Sequence, residues 1–252
     1  MGSVGLPIIQ ILIFKNLRID MKSRYSLSGE EFDDLVKITS RMYNSPIDQY
    51  ILTSLLNMVY DILEQHYRIF GIRTDLRFAQ SHVAEEPDLP LCFQRDDPQA
   101  ITRFSESLKS QIRVDHNRSG RPGNPTLPSY GWCRERNTGE HPHYHLVLLF
   151  NADVYAYLGN YQDRNANNMA TRIQRAWCSA IDLSYDDYAA LAEFPLNPIY
   201  RFSRIDALGR TKIYWDFLIR LAYLAKIRTK DIHDGYRNFG TSQLLCLNRL
   251  TC

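Results

Sequence analysis

The sequence predicts an α+β fold in which helices flank an antiparallel β-sheet. The run after His145 is rich in valine and leucine and ends in Phe150, which is typical of a buried strand. Ser129–Arg136 also has the pattern of a strand, and the turn residues 137–140 between the two favour an antiparallel hairpin. Apolar residues at helical spacing recur on both sides of this hairpin.

Helices are predicted for the N-terminal part of the chain. Ser28 and Glu31 have the spacing of a capping box at a helix start. A second helix is predicted from Pro46 to about Phe70, with Gly71 as its end, because its apolar residues repeat at helical spacing.

Periodicity and turn residues assign the rest of the chain. The predicted elements are a first strand over 72–78, a loop over 82–97, a helix over 98–115, a loop over 116–128, a helix over 153–181, an edge strand over 195–204, an amphipathic helix over 212–228 and an irregular tail over 230–243.

Residues 1–20 contain an apolar run that is too short to span a bilayer. The run lacks the basic start and the small-residue cleavage site of a signal peptide. These residues form either a short packed element or an extension upstream of a true start at Met21. We therefore expect no membrane association.

Charge and cysteine usage indicate the setting of the protein. The formal net charge is only +2, but residues 201–252 carry ten Lys or Arg against four Asp or Glu. Such a basic segment fits a polyanion, although an unevenly charged solvated surface explains it equally well. The five scattered cysteines have no CxxC spacing, which argues against disulfides and a cysteine zinc site and favours a reducing, cytoplasmic compartment.

His143 and His145 are the leading candidates for metal ligands. Residues two apart on a strand point to the same face, so their imidazoles would lie side by side. If the hairpin closes over its turn, Glu135 can point to that face as well. Two imidazoles and a carboxylate suit a divalent Mn²⁺ or Mg²⁺ with open coordination positions. Such a pair is also common as a plain structural feature, and Cys133 is a weaker alternative ligand.

Tyr223 and Lys226 are the candidate catalytic pair. On the predicted late helix, residues three apart share a face, which would place a phenol beside a cation. The lysine could hold a phosphate or favour the phenolate, and the tyrosine could attack as a nucleophile. Alone, this spacing on an amphipathic helix is mostly a sign of packing.

These motifs together resemble those of the HUH endonucleases, the initiators of rolling-circle replication. More closely, the chain resembles inovirus and prophage replication proteins with a YagK/YfjJ C-terminal domain. The motifs that carry it are HPHYHLVLLFN, the NM…IQRAW stretch over 168–177, FPLNPIY and YLAK…TK through Phe239 and Gly240.

The resemblance implies a Rep-like (HUH) antiparallel sheet over residues 70–243, preceded by a helical extension over 1–69 and followed by a tail over 244–252. It further implies a divalent metal held by Glu135, His143 and His145, with Tyr223 as the nucleophile and Lys226 as its helper. The implied activity is metal-dependent nicking and joining of single-stranded DNA at an origin of a phage or prophage-like element. A host helicase is a candidate partner, because the chain has no GxxxxGK[ST] loop of its own.

Two other functions remain open at this stage. The same fold could serve as a DNA-binding regulator or origin binder that does not cleave, which would need neither Tyr223 nor a metal. A metal-dependent hydrolase that uses water would need His143 and His145 but would form no covalent adduct. A zinc deaminase is disfavoured, since no His-x-Glu with a later Pro-Cys-x-x-Cys is present.

Overall fold

The computed structural model describes residues 23–79, 93–136, 141–228, 230 and 234–244. In these residues, the helices and strands follow one another in the order α1 (Gly29–Met42), α2 (Gln49–Gln65), β1 (Arg68–Leu76), α3 (Ala100–Arg118), β2 (Ser129–Glu135), β3 (His143–Asn151), α4 (Met169–Ile181), α5 (Tyr185–Tyr188), β4 (Ala192–Glu193), β5 (Ile199–Ser203), α6 (Arg204–Leu208), α7 (Lys212–Ala222) and β6 (Phe239–Thr241), with 3₁₀ turns at Ala189–Leu191 and Tyr223–Ala225.

The strands form one antiparallel sheet, which confirms the predicted α+β class. Its order is β4-β1-β3-β2-β6, and β5 also pairs with β1. The predicted pairing of the two hairpin strands is confirmed, because Ser129 lies opposite Leu149 and Glu135 lies opposite His143. The turn residues 137–140 lie outside the described residues.

Helices cover both faces of the sheet, so the central strand β3 is buried on both sides. Val147 and Leu149 pack into a core formed with α2 and α7. Leu146, Leu148 and Phe150 pack into a second core with α3 and α4. A strand covered on both faces has a continuous apolar sequence, which is the pattern seen after His145.

The second predicted helix was too long at its C-terminal end. Helix α2 ends at Gln65, and Arg68–Phe70 belong to β1. Gly71, which we expected to end the helix, lies within the strand, where an added Cβ would be 3.4 Å from Tyr200 Cβ. A short apolar run fits either period, and the distant pairing of β1 with β3 and β5 decides between them.

Two later helices also differ from their predicted bounds. The helix predicted over 153–181 begins at Met169, because Asn168 caps it through a hydrogen bond from the Thr171 N–H at 2.9 Å. The helix predicted over 212–228 ends at Ala222 and continues as the 3₁₀ turn Tyr223–Ala225, after which Lys226 has an extended backbone. Tyr223 therefore lies in the 3₁₀ turn and not on a helix face.

Other predicted elements are confirmed or corrected more simply. The capping box of Ser28 and Glu31 is present, and β5 is an edge strand as predicted. The tail over 230–243 is not wholly irregular, since β6 pairs with β2 there. Residues 1–20 and most of the loop over 82–97 lie outside the described residues. In the part of the chain that the structure describes, no helix has the length and apolarity to cross a bilayer.

Helices α1 and α2 pack into the same core as one face of the sheet. Leu35 of α1 and Leu55 of α2 belong to the cluster that also contains Phe217 of α7. The Tyr43 hydroxyl, just after α1, donates a hydrogen bond to the Ile219 carbonyl at 2.8 Å. The division into residues 1–69, 70–243 and 244–252 stays a prediction, and the linker between α1 and α2 contacts the site described below.

Gly240 in β6 provides a first test of this packing. Gly240 pairs with Trp132, and an added Cβ would lie 2.8 Å from two atoms of that indole. Because the ring is rigid, we expect Gly240→Ala to lower the free energy of unfolding by about 1–3 kcal/mol. Gly29→Ala is the matched control, since its Cβ would meet nothing within 4 Å. Urea denaturation of both variants measures the difference, and equal stabilities would contradict the packing at β6.

Candidate functional site

Glu135, His143 and His145 converge at one edge of the sheet. The three residues lie at the end of β2 and the start of β3, and one ligand atom from each falls within 4.8 Å of the others. The two Nε2 atoms are 3.2 Å apart, and His145 Nε2 is 3.4 Å from Glu135 Oε2. The antiparallel register produces this geometry, because directly opposed residues share a face.

The burial of this cluster determines its charge state. Burial is the main cause that lowers the pKa of His143 to about 4, and His145 and Arg77 add to the effect. Burial alone would raise the pKa of Glu135, but His145, Lys230 and Lys226 outweigh it and hold that pKa well below its usual range. Near neutral pH, His143 is a neutral imidazole with an available lone pair and Glu135 is a carboxylate.

Asp75 of β1 holds His145 in place from the opposite side. The two residues are paired across the sheet, and Asp75 Oδ1 is 2.8 Å from His145 Nδ1. Arg73 Nη2 is also 2.7 Å from that nitrogen. A guanidinium only donates hydrogen bonds and a carboxylate only accepts them, so Nδ1 bonds to Asp75 when it carries a proton and to Arg73 when it does not. If Nε2 is to bind a metal, Nδ1 carries the proton and donates a hydrogen bond to Asp75, as in carboxylate–histidine–metal arrangements.

Arg73 connects Asp75 to the tyrosine. Its guanidinium forms an ion pair with Asp75, and its Cζ lies 5.6 Å from the centre of the Tyr223 ring. Burial alone would raise the pKa of Asp75, but His145 and Arg73 outweigh it and keep the pKa well below its usual range. Asp75 is therefore ionised and able to orient the histidine.

Tyr223 and Lys226 lie beside the histidine cluster. Lys226 Nζ donates to the Tyr223 hydroxyl at 2.7 Å and lies 2.9 Å from Glu135 Oε2. Residues three apart eclipse each other in a 3₁₀ turn, which explains why the pair meets although the helix ends at Ala222. Burial alone would lower the pKa of Lys226, but the hydrogen bonds to Tyr223 and Glu135 outweigh it and raise the pKa.

The linker between α1 and α2 fixes the turn that carries this pair. The Asp48 N–H donates to the Ala225 carbonyl at 2.7 Å, and the Ile227 N–H donates to the Pro46 carbonyl at 2.9 Å. Ile47 and Lys226 form a β-bridge between these two bonds. The residues around Pro46 therefore set the position of Tyr223 relative to the sheet.

Aromatic contacts orient the Tyr223 ring against the cluster. Its centroid is 5.0 Å from the His145 ring and 5.1 Å from the Tyr43 ring, both edge to face. Burial raises the pKa of Tyr43 to about 12, and the Tyr43 hydroxyl bonds to a backbone carbonyl. Tyr43 thus packs against the Tyr223 ring and supports it. Tyr223 is only partly buried, and its hydroxyl is the one that faces the lysine.

Cys133, the weaker ligand candidate, and the nearby His141 do not join the cluster in the same way. Cys133 Sγ is 3.6 Å from Glu135 Oε1, but burial raises the pKa of this thiol to about 12, so it is not a thiolate. His141 Nδ1 lies 3.2 Å from Asp96 Oδ2, and its ring packs beside Phe78. Tyr144 packs against Trp177 on the other face of the sheet.

The donor set fits a divalent metal ion. Neighbouring ligands of an ion bound at about 2.1 Å lie roughly 3 Å apart, close to the spacings of 3.2 Å and 3.4 Å around His145. His143 is neutral, and Asp75 can hold His145 with Nε2 towards the cluster. Two nitrogens and one carboxylate oxygen leave coordination positions for substrate oxygens.

Arg73, Asp75, Tyr43 and Lys230 were not identified as site residues from the sequence. Lys230 Nζ lies 3.1 Å from Glu135 Oε1. Arg73 and Asp75 are two apart on a predicted strand, so their common face could have been inferred. Their pairing with β3 connects residues seventy or more positions apart, and no local pattern encodes it.

The low pKa of His143 predicts acid sensitivity of the metal-free protein. The ordinary histidine pKa of 6.5 falls to about 4 on folding, so between these values the unfolded chain binds the proton and the folded protein does not. Stability therefore falls as the pH falls through this window. From about pH 7 to pH 5 we expect wild type to lose about 2 kcal/mol more than His143→Gln. Urea unfolding in EDTA tests this, and equal losses would contradict the buried neutral state.

Fold and site define an α+β protein whose antiparallel sheet carries a buried His–His–Glu cluster beside a lysine-paired tyrosine. The chain belongs to the YagK/YfjJ C-terminal domain family, which matches residues 29–242. The uncharacterized protein YfjJ of Escherichia coli K12 is 36% identical over 192 residues, covering 74% of this chain and 90% of YfjJ. The uncharacterized protein YagK of the same strain is 34% identical over 196 residues, covering 76% of this chain and 91% of YagK. No solved structure matches the chain significantly.

Proposed function

We propose that this protein is an HUH-type endonuclease with a Rep-like sheet, which nicks and rejoins single-stranded DNA through a phosphotyrosine intermediate. In this proposal it starts rolling-circle replication of a phage or prophage-like element. The observation that carries the proposal is the position of Tyr223. Its hydroxyl is 2.7 Å from Lys226 Nζ, and its ring packs edge to face against the His145 ring. A phenol, a cation and three ligand atoms at one sheet edge are the parts that phosphodiester transfer to tyrosine needs.

The metal ligands in this proposal are Glu135, His143 and His145. When bound, a divalent Mn²⁺ or Mg²⁺ ion would polarise the scissile phosphate and offset the charge that develops on it. Asp75 holds the ring of His145, and Tyr43 and Arg73 hold the ring of Tyr223. These contacts place the phenolic oxygen beside the ligand cluster before DNA arrives, which reduces the entropic cost of the attack.

Tyr223 carries the covalent step. Its oxygen attacks the phosphorus, the bond between phosphorus and the 3′ oxygen breaks, and the proton lost by the phenol is balanced by the proton gained by the leaving 3′-hydroxyl. Lys226 is charged, because its pKa is raised, and it stabilises negative charge on the phenolic oxygen. In the reverse step a 3′-hydroxyl attacks the phosphotyrosine, which rejoins the strand and restores Tyr223.

The basic excess of the C-terminal quarter supports DNA steering only in part. Arg204 donates to the Leu63 and Glu64 carbonyls at the end of α2, and Arg210 bonds to Glu31 and to the Ser26 carbonyl. These two cations have structural partners. Lys226 and Lys230 lie in the site itself, where they can meet a phosphate.

A non-cleaving DNA-binding regulator is the second candidate. The observation that favours it is the pairing of Glu135 with two lysines, which balances its charge without a metal. Such a protein would bind single-stranded or origin DNA with the same residues but would not transfer a phosphate. A host helicase as a partner and a cytoplasmic location belong to the leading proposal as predictions.

A gel assay separates these functions. The full chain is incubated with single-stranded oligonucleotides that tile the element's origin region, with Mn²⁺ or Mg²⁺, and products are separated under denaturing conditions. The proposal expects a covalent protein–DNA species that EDTA prevents. Cleavage without an adduct would contradict the tyrosine mechanism and favour a metal-dependent hydrolase that uses water. Tight binding without cleavage of any fragment would favour the non-cleaving regulator.

A further inference from the structure

Two lysines occupy both oxygens of the Glu135 carboxylate. Lys226 Nζ is 2.9 Å from Oε2 and Lys230 Nζ is 3.1 Å from Oε1, while Glu135 is fully buried. Only 13% and 9% of the two lysine side chains are exposed. A buried carboxylate that carries an ammonium group on each oxygen is already neutralised, and the same oxygens are needed for a metal.

The fold builds the position of Lys230. Its ammonium group also donates to the Lys226 carbonyl, and Asn238 Nδ2 donates to the Lys230 carbonyl at 2.6 Å. Asn238 in turn lies within hydrogen-bond distance of Arg134. Lys230 is therefore held at the carboxylate by Asn238 and by the Lys226 carbonyl, and it is not a surface side chain that happens to be near.

The charges of the cluster favour an anion when a metal is present. Among the described residues around His145, Asp75 and Glu135 are negative, and Arg73, Lys226 and Lys230 are positive. These five side chains carry a formal charge of one positive, and a divalent ion would raise it to three. Like charges repel strongly where water is largely excluded, so a metal alone would bind weakly. A DNA phosphodiester would add a negative charge and offset part of this repulsion.

We infer that Lys226 and Lys230 exchange partners, from Glu135 in the protein alone to the phosphate oxygens of single-stranded DNA, so that metal and DNA bind cooperatively at this site. This inference rests on the proposed function for its substrate class. It makes Lys230 a substrate-binding residue. The exchange is feasible because the Lys226 ammonium group contacts the Tyr223 hydroxyl. A phosphate within reach of that hydroxyl would therefore also lie next to Lys226. A flexible lysine with three donors can change partners without rebuilding the site.

Binding of Mn²⁺, measured by electron paramagnetic resonance without catalysis, tests the exchange. The full chain with Tyr223→Phe is used so that no adduct forms. Lys230→Met in this background removes one competitor for Glu135, and we expect it to tighten Mn²⁺ binding without DNA by roughly tenfold. Lys230→Gln, which keeps a hydrogen-bond donor but no charge, is expected to act in the same direction. Lys212→Met is the matched control, since its ammonium group pairs with Asp216 on the exposed surface of α7.

DNA provides the second arm of the test. A single-stranded origin oligonucleotide is expected to tighten Mn²⁺ binding by roughly tenfold to a hundredfold when Lys230 is present and by less when it is methionine. By reciprocity, Mn²⁺ should tighten DNA binding by the same factor. Unchanged or weaker Mn²⁺ binding in folded Lys230→Met and Lys230→Gln would overturn the inference. If the wild-type protein shows the cooperativity but forms no adduct, the lysine exchange stands and only the proposed nicking activity is refuted.

Discussion

Tyr223→Phe is expected to abolish the covalent protein–DNA species and to lower strand cleavage at least roughly 10³-fold. The change removes one oxygen, the proposed nucleophile, and keeps the ring that packs on His145 and Tyr43. Binding of single-stranded DNA should be retained, because Lys226 and Lys230 are unchanged. Denaturing gels measure the adduct, and fluorescence anisotropy measures the binding.

Two other tyrosines serve as controls for the loss of a hydroxyl. Tyr236 is 59% exposed, with Arg134 over its ring, and Tyr236→Phe should leave the adduct unchanged. Tyr43→Phe removes only a hydrogen bond to the Ile219 carbonyl and should still form the adduct. An adduct that survives in Tyr223→Phe but disappears in Tyr43→Phe would show that Tyr43 is the nucleophile, which would contradict the proposed role of Tyr223.

Glu135→Ala is expected to cost about 3–5 kcal/mol of unfolding free energy in addition to the metal site. The substitution leaves two buried ammonium groups, those of Lys226 and Lys230, without their shared counter-charge. Glu135→Gln keeps an acceptor and should cost less. Urea denaturation in EDTA measures both effects without a contribution from metal.

Glu193→Ala is the matched control for a lost carboxylate. Glu193 pairs with Arg77 at the surface, where both side chains are about half exposed, so we expect a change within about 0.5 kcal/mol. If Glu135→Ala were as mild as this control, the lysines would have relaxed into water. The charge balance inferred for the site would then be wrong.

Local patterns in the sequence account for the elements that depend on nearby residues. The capping box at Ser28 and Glu31 satisfies helix N–H groups within one turn, and it is present as predicted. The two hairpin strands are close together in the sequence, and their register places Glu135 opposite His143. The predicted three-residue spacing of Tyr223 and Lys226 also gave the correct neighbour, although the turn is 3₁₀ and not α-helical.

Interactions between distant parts of the chain decided the rest. The apolar run around Ile69 fits a helix as well as a strand, and only the pairing of β1 with β3 and β5 makes it a strand. Asp75 reaches His145 through that same pairing, and Lys230 reaches Glu135 from a segment with no regular pattern. Residue order alone does not encode these contacts, because they depend on how the elements pack.

Peptide mass spectrometry after reaction with an origin oligonucleotide tests the central claim most directly. The DNA is trimmed by nuclease, the protein is digested, and the peptide that contains Tyr223 is sequenced. The proposed mechanism predicts a nucleotide joined through its 5′-phosphate to Tyr223, formed with Mn²⁺ and absent with EDTA. Cleaved DNA together with unmodified Tyr223, or a nucleotide on another residue, would contradict it.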